Sequence, residues 1–405
     1  MSNRREFLSS AAAAGAVLSL NGAAPQFLQS AAAESNNKND RVLVVVQLSG
    51  GNDGLNTVVP FKDPAYKKNR PKLAIPTTQL LKIDKSFGFH PAMRGFANLL
   101  EKNKLAIIQG VGYDNPNRSH FESMDIWHSC KRKSETRSAG WLGRYLDQSV
   151  RNTRGGDVPA LHLGSEKQPL ALVADKTRVP SVKSLSSFRL KEGKVALRKA
   201  IRDLADAKRE SSNGLLKFVQ SSTSAALDAS RRVEKASKNY KPKFKYPESE
   251  LARKMRTIAQ LIDAGLSTRV YYVQLDGFDT HAQQPAAHQA LLAQLGGAVE
   301  AFMNDITQHG HGNRVAVMCF SEFGRRVKEN ASDGTDHGAA APMFIAGRVK
   351  PGLIGKQPSL TDLHDGDLKH HTDFRSVYAE VLENWLNWKS EPVLGKKYKP
   401  VRVFV

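Results

Sequence analysis

Apolar residues fall into short continuous runs, separated by stretches with a helical period. Val42 to Leu48 is almost entirely Val and Leu, the pattern of a strand buried on both faces. Leu105 to Gln109, Val270 to Leu275, Val315 to Phe320 and Met343 to Ala346 repeat it, and shorter runs lie at Ala160–Leu163 and Leu170–Val173. Between them, Met93, Phe96 and Leu100 mark one helix face, and Leu251, Met255, Ile258 and Ile262 another. Leu291, Leu292, Leu295, Val299, Phe302 and Ile306 make the most regular amphipathic helix. Phe374, Val377, Val381 and Trp385 mark a last one, with Thr372 or Asp373 at its N-cap. Strands alternating with helices predict an α/β fold: a large, mostly parallel sheet covered by helices on both faces.

Residues from about 180 to 250 interrupt this alternation. Leu197, Ile201 and Leu204 share a helical face, and Ser181 to Glu250 carries 17 Lys and Arg against 8 Asp and Glu. This stretch reads as a basic helical insertion in a single domain spanning residues 34–405. Its charge is either a solvated helical face or an electrostatic attraction to anionic polysaccharide, lipid headgroups, or phosphorylated or sulfated substrates. Nucleic acid is not indicated, because no recognition motif accompanies the charge.

The N-terminus orders its residues differently. Asn3-Arg4-Arg5-Glu6-Phe7-Leu8 looks like a twin-arginine export signal, followed by a mild apolar stretch from Ala11 to about Leu20 and small residues Ala31-Ala32-Ala33 before Glu34. Residues 1–33 are therefore expected to be a leader handled by the twin-arginine translocase, and the protein to be periplasmic or secreted. The leader holds Arg4, Arg5 and Glu6, so the remainder keeps about +20 of the +21 net charge. No later apolar run reaches the roughly 20 residues that a membrane span needs. Only Cys130 and Cys319 occur, too few for a disulfide framework; Cys319 reads as a small buried hydrophobe.

In open α/β sheets, ligands bind beyond the carboxyl ends of the strands. Ser49-Gly50-Gly51-Asn52-Asp53-Gly54 follows the first run, where the glycines allow a tight turn that would leave Asn52 and Asp53 exposed. Asp114 to Phe121 follows the second run and contains Arg118, Ser119 and His120. Asp276-Gly277-Phe278-Asp279-Thr280-His281 and Ser321-Glu322-Phe323-Gly324-Arg325 follow two more, and Asp336-His337-Gly338 precedes Met343–Ala346. Carboxylates with imidazoles suit zinc or a similar divalent metal ion, whereas carboxylates and water suit magnesium, manganese or calcium. Each loop alone has an ordinary reading: a plain turn, a helix cap at Ser119, a surface histidine at His281, an internal salt bridge from Glu322 to Arg325.

Taken together, Gln47–Asn56, Asn115–Trp127, Gly277–Gln284, Phe320–Arg326, Gly334–Gly347 and Thr372–Arg375 resemble the hallmark segments of the bacterial domain of unknown function 1501 family. That family looks like a branch of the alkaline phosphatase and sulfatase superfamily. The resemblance implies a three-layer α/β/α sandwich, export by the twin-arginine route and metal-dependent hydrolysis of a phosphate or sulfate ester. Carried over, Asp53, Asp279, His281, Glu322 and His337 would be metal ligands, Ser119 the nucleophile, and Arg118 or Arg325 the group that neutralises developing charge. The superfamily spaces its Asp–His pair four residues apart, whereas Asp279 and His281 are two apart, and Glu322-Phe323 replaces the usual Asp-His. Those departures set the two-metal arrangement aside as the sole reading: a one-metal site, or a site that has lost its chemistry, fits as well. The alternative function is a non-catalytic exported binding protein for an anionic polymer.

Overall fold

The computed structural model describes residues 41–149, 158–177, 179–183 and 240–405. The leader expected at 1–33 and nearly all of the basic insertion, including Leu197, Ile201 and Leu204, lie outside the described residues.

A nine-stranded sheet forms the centre. Its strands are β1 (Val42–Leu48), β2 (Leu105–Gly112), β3 (Ala160–Leu163), β4 (Ser181–Val182), β5 (Val270–Leu275), β6 (Val315–Ser321), β7 (Ala341–Ala346), β8 (Gly352–Ile354) and β9 (Thr372–Asp373). They lie in the order β8-β2-β7-β6-β1-β5-β3-β4, with β9 beside the far end of β2. Every pairing is parallel except those of β7, which runs against both β2 and β6.

Alternation along β1 explains the layers. Val42, Val44, Val46 and Leu48 enter one apolar cluster, and Leu43 and Val45 enter another. On the first face, Phe96, Ile258 and Phe302 come from helices α3 (Arg94–Glu101), α6 (Glu250–Asp263) and α7 (Gln284–Gln308). The second face is covered by α4 (His120–Ser129), α5 (Trp141–Ser149), α8 (Phe374–Glu380) and a π turn over Val381–Trp385. This is the expected three-layer α/β/α sandwich. Two short helices, α1 (Gly54–Thr57) and α2 (Pro64–Asn69), follow β1. Asp373 caps α8 by accepting from the Arg375 amide at 2.8 Å. Cys130 and Cys319 are both buried and free.

One run took a different form. Leu170–Val173, expected as a strand, is a 3-10 turn over Leu170–Leu172 that follows Pro169. Gly140 and Gly143 explain it: a Cβ on either would come within 2.0 Å of a carbonyl oxygen of this turn. The turn nests directly on α5 and buries Ala171 and Leu172 without a ladder partner.

The reversed strand positions the loops. The carboxyl ends of β1, β2, β5 and β6 meet at one edge, and the amino end of β7 reaches the same edge because that strand runs the other way. Loops that leave four strands and the loop that enters a fifth are thereby gathered in one place.

Candidate metal centre

The exit from β1 is packed too closely to expose its polar residues. Gly50 has φ +116°, and a Cβ there would stand 2.4 Å from the Asp279 amide nitrogen. Asn52 and Asp53 are buried, in contrast to the exposure expected of them. Asn52 Oδ1 accepts from Thr57 Oγ1 at 3.1 Å and lies 2.9 Å from His288 Nε2. Asp53 Oδ2 accepts from Arg70 at 2.5 Å and from Gln284 Nε2 at 2.6 Å. Burial raises the Asp53 carboxyl's affinity for a proton, but Arg70 beside it brings the net pKa below the usual carboxylate range. This carboxylate is committed to a guanidinium inside the fold.

Arg325 is a second internal tie. Its guanidinium donates to the carbonyls of Gly51 (2.7 Å), Thr335 (2.7 Å), Phe278 (2.9 Å) and Gly50, and to Asp279 Oδ1 at 2.7 Å. It is buried, and its acidic partner is Asp279 rather than Glu322. Arg325 therefore joins the exits of β1 and β5 to the approach of β7 and fixes the Asp279 carboxylate from behind.

Three imidazoles converge on that carboxylate. His281 Nε2 lies 3.0 Å from Asp279 Oδ1, His337 Nε2 3.1 Å and His120 Nε2 3.4 Å. His281 Nε2 and His337 Nε2 are 2.9 Å apart. Ligand atoms of His120, Asp279 and His337 all fall within 4.8 Å of one another.

The opposite nitrogen of each ring is held by an oxygen. His120 Nδ1 donates to Glu322 Oε1 at 2.8 Å, His337 Nδ1 to the Arg118 carbonyl at 2.7 Å, and His281 Nδ1 stands 3.3 Å from Asp336 Oδ1. A carbonyl can only accept, so the proton of a neutral His337 sits on Nδ1 and the Nε2 lone pair faces inward. His120 Nε2 is buried without a hydrogen-bond partner among the described residues. Inward lone pairs facing a carboxylate repel unless a cation or a proton lies between them. Oxygen partners on the outer nitrogens are the usual support of metal-binding histidines. The donor set, imidazole nitrogens with one carboxylate, fits a divalent cation such as zinc.

The charges agree with this arrangement. Burial pushes the Asp279 carboxyl up, but Arg325 and then His337 outweigh it and bring it to about 2. The hydrogen bond to Glu322 raises His120 above an ordinary imidazole, against the effect of burial. Burial lowers His337, partly offset by its contact with Asp279.

Of the residues singled out in the sequence, the fold brings Asp279, His281 and His337 together. Glu322 stands behind His120; its Oε1 also accepts from the Gly50 amide at 2.9 Å and its Oε2 from Ser321 Oγ at 3.1 Å. His120, read in the sequence as a neighbour of Ser119, is the ring that completes the group. Its signal was an imidazole in the loop after a buried strand. Ser119 is exposed at the N-cap position of α4, and its hydroxyl makes no capping hydrogen bond. Arg118 turns its side chain away to Asp367, with Nε 2.8 Å from Oδ2.

Fold and site together define an α/β protein with a cluster of imidazoles around one carboxylate at the carboxyl edge of its sheet. Residues 40–384 match the family described as Protein of unknown function (DUF1501), and the chain belongs to that family. No curated protein sequence matches the chain. Among solved structures it is similar to the C-terminal periplasmic domain of EcEptC from Escherichia coli, in complex with Zn, at 7% identity and TM-score 0.38, covering 78% of this chain and 75% of that one. It is also similar to a protein in the alkaline phosphatase superfamily from Vibrio parahaemolyticus, at 6% identity and TM-score 0.35, covering 81% and 64%. The PsFucS1 sulfatase from Pseudoalteromonas sp. matches at 11% identity and TM-score 0.36, covering 89% and 70%.

Proposed function

We propose that this protein is an exported, metal-dependent hydrolase of phosphate or sulfate esters. One observation carries the reading: three imidazole Nε2 atoms face Asp279 Oδ1, and an oxygen occupies the Nδ1 side of each ring. His120, His281, His337 and Asp279 would hold a single divalent cation, which when bound supplies a Lewis acid for an ester oxygen. Glu322, Asp336 and the Arg118 carbonyl orient the rings, and Arg325 orients Asp279.

Ser119 is the nucleophile of this reading. It precedes His120, so its position is set by the ring that reaches the cation, and its exposed hydroxyl is not spent on capping α4. Arg118 flanks the same position, and the positive charge of the chain favours an anionic ester, either a small molecule or a polysaccharide. Export rests on the twin-arginine-like segment and its translocase. No helix among the described residues is long and apolar enough to cross a membrane.

The test is elemental analysis of the purified chain beside His337→Ala and Ser119→Ala, with turnover of phosphate and sulfate esters measured on all three. Near-stoichiometric metal in the wild type and Ser119→Ala, loss of it in His337→Ala, and turnover only in the wild type are expected. Absence of metal from the wild type after metal-replete expression would overturn the hydrolase reading and favour the binding protein, whose affinity for an anionic polymer should fall steeply with salt.

A further inference from the structure

Beside the metal centre lies a cavity of about 310 Å³, near the lower limit for small-molecule pockets. One wall is Tyr113 to Pro116, from the loop that goes on to carry Arg118, Ser119 and His120. The other is the hairpin of Leu363–His364 and Asp367–Leu368 with the Lys369 and His370 that follow it, and Ala339 closes the base. The two walls are joined by the Arg118–Asp367 ion pair. The Arg118 carbonyl accepts from His337, so one residue ties the cavity wall at Asp367 to the imidazole cluster.

Asp367 is the unusual group here. Its side chain is 3% exposed, and while Oδ2 is held by Arg118, Oδ1 has no hydrogen-bond partner among the described residues. Arg326 Nε stands 3.7 Å away, beyond hydrogen-bond reach. A buried acceptor left without a donor is costly, and such an atom in a cavity wall marks a place for one. Lys369 pairs with Asp362, and His370 Nε2 lies 3.7 Å from Oδ1 of the exposed Asp114. With Arg118 held by Asp367 and Lys369 by Asp362, no lysine or arginine at the cavity is left unpaired to attract an anion. The walls hold the buried, unpartnered Asp367 Oδ1, an imidazole and the Asn115 amide, beside the apolar surfaces of Pro116, Leu368 and Ala339.

We propose that this cavity binds an uncharged, hydroxyl-rich ring, a glycosyl unit, with one hydroxyl donating to Asp367 Oδ1. The apolar wall takes the C–H face of the ring, while His370 and Asn115 meet its other hydroxyls. The site is thus a sugar subsite beside the cation. Only its place in catalysis, as the pocket for the alcohol portion of the ester, rests on the hydrolase reading.

The experiment is saturation-transfer NMR on the full chain with neutral methyl hexopyranosides as probes, repeated with inorganic phosphate and sulfate added as competitors. At least one glycoside should bind, without displacement by either anion. Asp367→Asn should weaken it about tenfold or more, the scale of a hydrogen bond to a charged group. His370→Ala, on the accessible wall, should weaken it several-fold and serves if Asp367→Asn does not fold. Metal analysis of the same samples separates the two readings: glycoside binding in metal-free protein would sustain the subsite while the hydrolase reading failed. Binding of no glycoside, unchanged binding in both variants, or displacement by phosphate would overturn the subsite.

Discussion

Glu322 Oε1 and His120 Nδ1 lie 2.8 Å apart, so a residue leaving β6 holds the orientation of a ring that enters from the loop after β2. Glu322 is buried and tied to the Gly50 amide, which makes it a rigid support. Glu322→Gln keeps the size and removes the charge. Metal affinity, measured by competition with a chelator, should fall about 10- to 100-fold while the fold persists. An unchanged affinity would show that His120 needs no such support.

Arg325 should matter to stability more than its single ion pair implies. Arg325→Met leaves the carbonyls of Gly50, Gly51, Phe278 and Thr335 without their donor. The expected loss is about 3–5 kcal/mol in urea unfolding, the range for breaking a buried charged network. A loss below about 1 kcal/mol would mean that water replaces the guanidinium freely.

Asp53 and Arg70 are fully buried together, 2.5 Å apart. Asp53→Asn should lower stability by roughly 3 kcal/mol or more and leave metal content unchanged. The sign with pH follows from the depressed folded pKa: this stabilisation is present above the unfolded value of about 4 and is lost as the pH falls through the lower folded value. Metal loss in Asp53→Asn would instead make this carboxylate part of the cation site.

Buried histidines act on stability in the same direction. Burial lowers His128 to about 3, and His90 and His288 to about 4. Below the unfolded value of about 6.5 the unfolded chain binds protons that the folded chain refuses. Each ring then costs up to about 1.4 kcal/mol per pH unit, from pH about 6.5 down to its folded value. His128→Gln should flatten the stability–pH slope by one proton's worth between pH about 6 and 3. An unaltered slope would show that His128 remains charged inside the fold.

Strand positions were legible wherever burial on both faces forced an unbroken apolar run, as in Val42–Leu48. Direction was not, because an apolar run reads the same whichever way the strand lies, and the reversal of β7 follows from its crossing between β2 and β6. Leu170–Val173 misled because a glycine-cushioned turn buries a short apolar run as well as a ladder does. Edge strands such as Gly352–Ile354 carry little burial and hence little pattern. In the site, residue types pointed to the loops but not to partners. Glu322 is an acidic residue in the right loop, yet His120 stands between it and Asp279. The pairing of Asp53 with Arg70 depends on a segment after α2 that has no periodic signal.

His337 lies just before β7, the strand paired between β2 and β6, while His120, Asp279 and His281 come from earlier parts of the chain. A fragment ending before residue 337 would lack one of the four residues proposed to hold the cation. On the proposed reading, cation binding would report that the chain has folded as far as β7, because binding at such a site is coupled to forming it.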